Sequence, residues 1–499
     1  MRFISTRGGP SVTACEAIVR GIAPDGGLYV PESFPRVSPE RVERFASLPF
    51  CEVSAEIMGE YLDEFSSGEL QAVTRRAYGG NFDDSRVVPL TDISSNESVM
   101  ELFHGNTIAF KDMALQVLPQ LLTASLKKTG EKRRVMILVA TSGDTGKAAL
   151  EGFAGVDKTA ITVYYPKDGV SPAQKRQMET QEGENVYVCA VDGNFDDTQR
   201  GVKSIFTDGD FAKTLDERGW LLSSANSINW GRLVPQIAYY FWGYAQLLKK
   251  GRAAPGEKIN FVVPTGNFGN ILAGYYAMRM GLPVKKLICA SNANNVLTDF
   301  FETGVYNRRR EFFKTASPSM DILVSSNLER LVYELNWRNA GATAECMKRL
   351  AEDGEYDISS QLDGSVIKDE FYAGWCGDAD GADTIKRVFT EKKYLLDTHT
   401  AIGQNVYEKY VKETGDSAQT ILVSTASPYK FASSVLKALG ETFEGDDFDA
   451  ADRLCAVSGV RIPEAITKLR SIPTRFTQSC APDKMRETLY NAIVGGQFK

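Results

Sequence analysis

Histidine is scarce: the chain of 499 residues holds two, His104 and His399. That number excludes a histidine-rich metal site, so no metal is expected, and it leaves few imidazoles for proton transfer. The eight cysteines, Cys15, Cys51, Cys189, Cys289, Cys346, Cys376, Cys455 and Cys480, are scattered without one CxxC pair. Neither a zinc knuckle nor a redox dithiol is indicated, and the thiols read as reduced. No stretch approaches the ~20 uninterrupted apolar residues that a membrane span needs. The residues up to Pro10 have no apolar core of secretory length, so the expected address is the cytoplasm. Clustered basic charge is missing too, the densest run being Arg308-Arg309-Arg310 in a chain of net charge −7. Neutralising a polyanion takes many grouped Lys and Arg, so no nucleic-acid partner is expected.

What is present is average globular usage, 43% hydrophobic and 24% charged, without repeats or biased tracts. Such a chain folds throughout, and its length predicts two to four domains. From about residue 130, apolar β-rich runs at 135–140, 161–165, 186–191, 261–263, 286–290 and 421–424 alternate with amphipathic segments. This is the pattern of parallel strands joined by crossover helices, and the near-continuous apolar runs predict a sheet covered on both faces. The fold class is α/β. Residues 1–95 differ, with the turn-rich Ala23-Pro24-Asp25-Gly26-Gly27 and a helix-like stretch at 53–78, and read as an N-terminal accessory domain. Between 305 and 395 the strand signal fades into charged helical patterns, which predicts a helical insertion.

Five segments carry chemistry. In Phe103-His104-Gly105-Asn106-Thr107-Ile108-Ala109-Phe110-Lys111-Asp112 a lone lysine stands between an apolar stretch and a helix-like one. A desolvated lysine loses proton affinity and becomes a nucleophile toward carbonyls. On local pattern alone, a lysine beside Asp112 reads as a surface charge pair. Thr141-Ser142-Gly143-Asp144-Thr145-Gly146 follows a buried strand and opens a helix, where free N–H groups meet an anion or where Ser, Asp and Thr simply cap. Gly266-Asn267-Phe268-Gly269-Asn270 is a strand-to-helix loop whose Gly and Asn tolerate positive φ, so its amides converge either on a phosphate or on a tight turn. It is neither a Walker loop nor a dinucleotide fingerprint, which leaves a nucleotide-dependent kinase or dehydrogenase unsupported. Ser227-Ile228-Asn229-Trp230-Gly231-Arg232 ends in a guanidinium suited to a carboxylate or phosphate, or else is a capped helix start. Leu422-Val423-Ser424-Thr425 is a strand that ends in hydroxyls.

Taken together, in this order, these segments resemble the threonine synthase family, in its longer bacterial and fungal form, within the fold-type II enzymes of pyridoxal phosphate (PLP). The resemblance covers essentially the whole chain and includes Ser5-Thr6-Arg7-Gly8, Gly21-Ile22-Ala23-Pro24-Asp25-Gly26-Gly27 and Asp397-Thr398-His399-Thr400-Ala401. It implies a tryptophan synthase β-like architecture of two open twisted sheets flanked by helices. The smaller lobe would be 96–215, carrying Lys111, and the larger 216–499, with the phosphate loop and the insertion at 305–395. It further implies that Lys111 holds PLP as a Schiff base and is the catalytic group. Gly266, Asn267, Phe268, Gly269 and Asn270 would clasp the cofactor phosphate, and Thr425 would meet the pyridine nitrogen. Ser142, Asp144 and Thr145 would line the substrate site, while Ser227, Asn229 and Arg232 would hold the substrate's phosphate. The implied reaction turns O-phospho-L-homoserine and water into L-threonine and phosphate, the last step of threonine biosynthesis, in a monomer or homodimer. Two departures stand out: the family usually has proline at Asn106 and His-Pro-Ala at Ser427-Pro428-Tyr429. A threonine/serine dehydratase-like lyase and a catalytically silent homologue that binds a phosphorylated ligand are the alternatives.

Overall fold

Strand formation follows the apolar runs closely. The computed structural model describes residues 1–141 and 143–498, and Ser142 lies outside the described residues. Three strands, β1 (Arg2–Ser5), β2 (Val12–Thr13) and β3 (Tyr29–Pro31), form a small antiparallel sheet at the N-terminus. Then come β4 (Leu90–Asp92), β5 (Glu97–Glu101), β6 (Arg134–Ala140), β7 (Thr159–Pro166), β8 (Val186–Val191) and β9 (Trp220–Ser223). The rest are β10 (Ile259–Pro264), β11 (Val284–Ser291), β12 (Val305–Asn307), β13 (Glu355–Asp357), β14 (Phe371–Trp375), β15 (Thr420–Ser424) and β16 (Ser479–Cys480). All six sequence-predicted strands are among them.

Two sheets organise the rest of the chain. The larger has the order β14-β11-β10-β15-β5-β4 and is parallel except for the β4–β5 pair; the smaller, β16-β8-β7-β6-β9, is parallel throughout. Side chains of successive strand residues point to opposite faces. Phe261, Val263, Leu287, Cys289, Ile421 and Val423 accordingly join the main core, which extends under the N-terminal domain. The alternate residues Val99, Val262, Ile288 and Leu422 join a second core beneath the helices Asp378–Lys392 and Thr398–Thr414. Burying each such side chain contributes roughly 1.5–3 kcal/mol, so both faces of the sheet hold it in place.

The lobes interleave along the chain more than contiguous segments would allow. Strand β5, which leads into Lys111, lies in the six-stranded sheet and not with β6–β8, whereas β9 and β16 return to the five-stranded sheet. Sheet membership thus does not change over at 215, because parallel pairing is set by crossover connections and not by proximity in sequence. The region 305–395 is largely helical, as expected, yet it also contributes the β12–β13 ribbon and the edge strand β14. Strand β14 is Phe-Tyr-Ala-Gly-Trp, too short and too mixed for a periodic signal. The stretch at 53–78 resolves into two helices, Phe50–Gly59 and Ser67–Tyr78, the second opened by a Ser66/Glu69 capping box. Among the described residues no helix is long and apolar enough to cross a membrane.

Candidate active site

The loop after β5 is shaped by a buried carboxylate. Asp112 is fully buried and accepts the Thr107 amide at 2.8 Å and the Thr107 hydroxyl at 2.7 Å. Burial pushes its pKa up to about 6 against the lowering effect of the Thr107 bonds. Gly105 closes the turn against it; a Cβ there would lie 2.5 Å from Asp112 Oδ2. Ile108 adopts φ +52°, a conformation that a β-branched residue holds only when its surroundings force it. Those surroundings are the chain just after β15: Phe110 N donates to Thr425 O at 2.8 Å and Ser427 N to Ile108 O at 3.0 Å. Asn106, exposed on the rim, donates to Glu151 at 3.1 Å.

Lys111 therefore does not pair with its neighbour Asp112 and is no surface residue. It is 8% exposed, with Nζ 3.4 Å from Ser319 Oγ, 3.5 Å from Asp144 Oδ2 and 5.0 Å above the Phe110 ring. Burial lowers its pKa to about 8; Asp144 opposes this, while Lys430 and Arg232 reinforce it. An amine so placed has a far larger neutral fraction near physiological pH than an exposed lysine, and that fraction is available as nucleophile or base.

Across from the lysine, β6 runs into the helix Asp144–Phe153. The Thr141 hydroxyl accepts the amides of Gly143 and Gly146 at 3.0 and 2.9 Å and so satisfies the turn internally. Asp144 is 5% exposed. Its Oδ1 accepts Gln174 Nε2 at 2.8 Å and lies 3.1 Å from Lys430 Nζ; its Oδ2 accepts the Ser319 hydroxyl at 2.7 Å. Burial alone would raise its pKa, but Lys430, Lys111, Ser319 and His399 outweigh that and hold the carboxyl well below the usual carboxylate range. Thr145 is half-buried one residue further on.

The glycine loop meets the same spot. Gly266 lies so close to the Ser319 backbone that a Cβ would sit 2.6 Å from its carbonyl oxygen, and its own carbonyl accepts Ser325 Oγ at 2.7 Å. Asn267 is exposed, with its carbonyl held by Asn327 through the backbone amide at 3.1 Å and the side chain at 3.0 Å. Phe268 takes the left-handed conformation, φ +60°, and turns the chain into the helix Gly269–Arg279. Asn270 Oδ1 accepts the hydroxyls of Tyr239 and Tyr240, both at 2.7 Å, while Asn270 Nδ2 is a buried donor without a partner. A buried amide left unpaired in this way marks a place for an acceptor from a ligand.

Beside that loop, Ser227 packs on Gly269, where a Cβ would meet the Ser227 Cβ at 3.3 Å. Its hydroxyl accepts Asn327 Nδ2 at 2.8 Å. Arg232 is 5% exposed and donates to Ala225 O at 2.8 Å; burial is the sole cause that lowers its pKa, to about 10. Among the described residues this buried guanidinium has no counter-anion, and such a group calls for one. Asn229 differs: it caps the helix Trp230–Lys249 by accepting Gly231 N at 2.9 Å and donates to Ile18 O at 3.0 Å in the N-terminal domain. Both ends of its amide are engaged by the protein, and its carbonyl accepts the amide of Arg232, three residues later, at 3.0 Å. Thr425 is 6% exposed and adjoins the lysine loop through its carbonyl.

Four participants carried no signal as site residues. Ser319 stands on the turn Pro318–Met320 and touches the lysine, the aspartate and the glycine loop. His399 Nε2 accepts the Ser319 amide at 3.1 Å, and its Nδ1 lies 3.2 Å from Asp397, which caps the same helix. Lys430 and Gln174 hold Asp144. Only His399 stood in a quoted motif, as one of two histidines; the others sit in ordinary polar surroundings.

Three family models match the chain: threonine synthase N terminus over residues 2–78, pyridoxal-phosphate dependent enzyme over 98–359, and threonine synthase C-terminal over 400–487. The threonine synthase of Pseudomonas aeruginosa is 41% identical over 440 residues, which cover 88% of this chain and 90% of that protein. Human threonine synthase-like 1 is 39% identical over 435 residues, 85% of this chain but 58% of the longer human protein. A PLP-bound threonine synthase from Brucella melitensis has the same fold, with a TM-score of 0.88 at 37% identity over 100% of both chains.

Proposed function

The chain belongs to the threonine synthase family of PLP-dependent enzymes, and from that premise we propose that it converts O-phospho-L-homoserine and water into L-threonine and phosphate. It is a PLP-dependent lyase acting on a small molecule. The observation that carries the reading is the placement of Lys111 Nζ, buried and 3.4 Å from the Ser319 hydroxyl, whose own backbone abuts Gly266 of the anion loop.

The residues fit the cofactor. Asn270 Nδ2 is an unpaired buried donor at the start of a helix, where backbone amides and the helix dipole favour a phosphate. Gly266, Asn267, Phe268 and Gly269 would complete that cradle, Lys111 would hold the aldehyde end, and Thr425 would meet the ring nitrogen with a hydroxyl. When bound, PLP supplies an electron sink for carbanions beside the substrate nitrogen.

The chain's own groups supply the rest. Lys111, freed once substrate binds, removes the Cα proton and moves a proton at Cβ, which a neutral amine in a closed site can do. Asp144 and Thr145 line the substrate beside it. Arg232 and Ser227 grip the substrate's phosphate, orient it for departure and stabilise its charge as it leaves. Asn229 fixes the helix start from which Arg232 projects. That Arg232, among the described residues, has a carbonyl partner but no carboxylate favours this reading over a dehydratase, which has no distal phosphate to bind. With eight free cysteines the reading includes a cytoplasmic location.

The test is to give the PLP-loaded protein O-phospho-L-homoserine and, separately, L-threonine. Equimolar phosphate and threonine from the first are expected. Deamination of threonine without phosphate release would overturn the reading.

A further inference from the structure

One buried carboxylate here serves two lysines. Asp144 receives Gln174 Nε2 and Lys430 Nζ on Oδ1 and Ser319 Oγ on Oδ2, and Lys111 Nζ approaches Oδ2 only to 3.5 Å. A carboxylate offers about four acceptor positions, so Lys111 is left with the poorest share. Lys430 is the better-placed cation: its side chain is 2% exposed, 3.1 Å from Asp144 Oδ1, and its ammonium also donates at 2.8 Å to the carbonyl of Thr107, four residues before Lys111. It stands on the turn Pro428–Phe431, just past Thr425.

We propose that Lys430 is a positioning residue that occupies the Asp144 carboxylate and so prevents Asp144 from trapping the reactive amine of Lys111 as an ion pair. The idea rests on Lys111 being the amine that holds PLP. Every charged group that faces Lys111 enters the balance. Asp144 comes from the helix Asp144–Phe153, Lys430 from the turn after β15 and Arg232 from the helix Trp230–Lys249. Asp112, on its own helix, is turned away toward Thr107, and the His399–Asp397 pair reaches it only through the Ser319 amide. With Lys430 in place two cations and two neutral donors share the single anion; without it, Lys111 is the one cation left against Asp144. The direction of the Lys430 effect on Lys111, downward, agrees with this.

Variants separate charge from tether. Lys430→Gln keeps a donor for Thr107 O and removes the charge; Lys430→Arg keeps the charge. The full chain, freed of cofactor, is incubated with PLP from pH 6 to 10 and reduced with borohydride, which turns the imine into a stable secondary amine, and Lys111 labelling is read by peptide mass. The pH midpoint of labelling should rise by about one unit in Lys430→Gln, as removal of a nearby like charge predicts, and stay near wild type in Lys430→Arg. The acid limb of kcat should move by the same amount. Equal midpoints in wild type and Lys430→Gln overturn the proposal, as does an equal displacement in both variants, which would show a purely steric role. If Lys430→Gln alone does not fold, Lys430→Gln/Asp144→Asn removes the carboxylate together with the cation that neutralised it. Its midpoint should not exceed that of wild type, and an upward displacement there overturns the proposal. Absence of Lys111 labelling in the wild type, at any pH, would instead sink the assignment of the PLP lysine.

Discussion

The amide of Phe110 donates to the carbonyl of Thr425 over 2.8 Å. One peptide pairing thus ties the segment that presents Lys111 to the end of β15, and the flanking Ala109–Ala426 bridge extends it. Separation of the lysine from the strand-end hydroxyl would require breaking backbone hydrogen bonds, not merely rotating a side chain.

Removing the amine tests the centre of the site. Lys111→Ala should fold, because a buried cation is lost and the Asp144 carboxylate keeps Lys430 as its partner. Its visible absorbance from a PLP imine should vanish, and turnover should fall by several orders of magnitude. An unchanged absorbance band in the purified variant would contradict the assignment.

Arg232 makes a prediction about stability. Among the described residues its buried charge has no carboxylate partner, and burial alone lowers its pKa, so Arg232→Met should leave the melting temperature of the PLP-loaded protein unchanged or higher. Inorganic phosphate should stabilise the wild type, by about 2.7 kcal/mol at a hundred times Kd, and should not stabilise the variant. Calorimetry with and without phosphate decides it; equal protection of both proteins rules out Arg232 as the anion ligand.

Gly266 is required for space, not for its φ. A Cβ would sit 2.6 Å from the Ser319 carbonyl, and backbone cannot yield as a side-chain tip can. Gly266→Ala should destabilise by about 1–3 kcal/mol and weaken PLP binding at least tenfold, since it pushes apart the loop and the residue that meets Lys111. Equilibrium dialysis against PLP reads the second effect.

His104 gives a pH signature. Its ring nitrogens face Asp83 at 2.6 Å and Glu101 at 2.8 Å. Burial would lower its pKa, but the two carboxylates raise it to about 9 from 6.5. The folded state therefore binds the proton more tightly than the unfolded chain, and the stabilisation, about 3 kcal/mol, is complete below pH 6.5 and lost as pH rises through 9. Melting curves should show the difference between wild type and His104→Gln shrinking over that window; a constant difference would contradict the charged pairing.

The sequence exposed whichever features are local. Strands β6, β7, β8, β10, β11 and β15 announce themselves as apolar runs because both faces of the sheets are covered, and the glycine loop is visible because Phe268 at φ +60° needs permissive neighbours. Lys111 was legible through its motif, whereas its burial was not, since that is created by Ser319, more than two hundred residues away. Lys430, Ser319 and Gln174 are common polar residues that acquire a role only when three separate connections bring them to Asp144. Asn229 shows the converse: a side chain that reads as a ligand by type is fully engaged as a cap and as a tie to Ile18. Strand β14 escaped because five mixed residues give no period.

The return of β16 to the smaller sheet has a consequence for biosynthesis. Strand β8 pairs with β7 on one side and, on the other, with Ser479 and Cys480, partners of Ala190 and Val191. While the ribosome is still making the intervening segments, that flank of β8 is an open row of peptide groups, the kind of edge that recruits stray strands. The smaller sheet is sealed only once residues 479 and 480 have been made, so a nascent chain that stalls before them leaves that flank of β8 open.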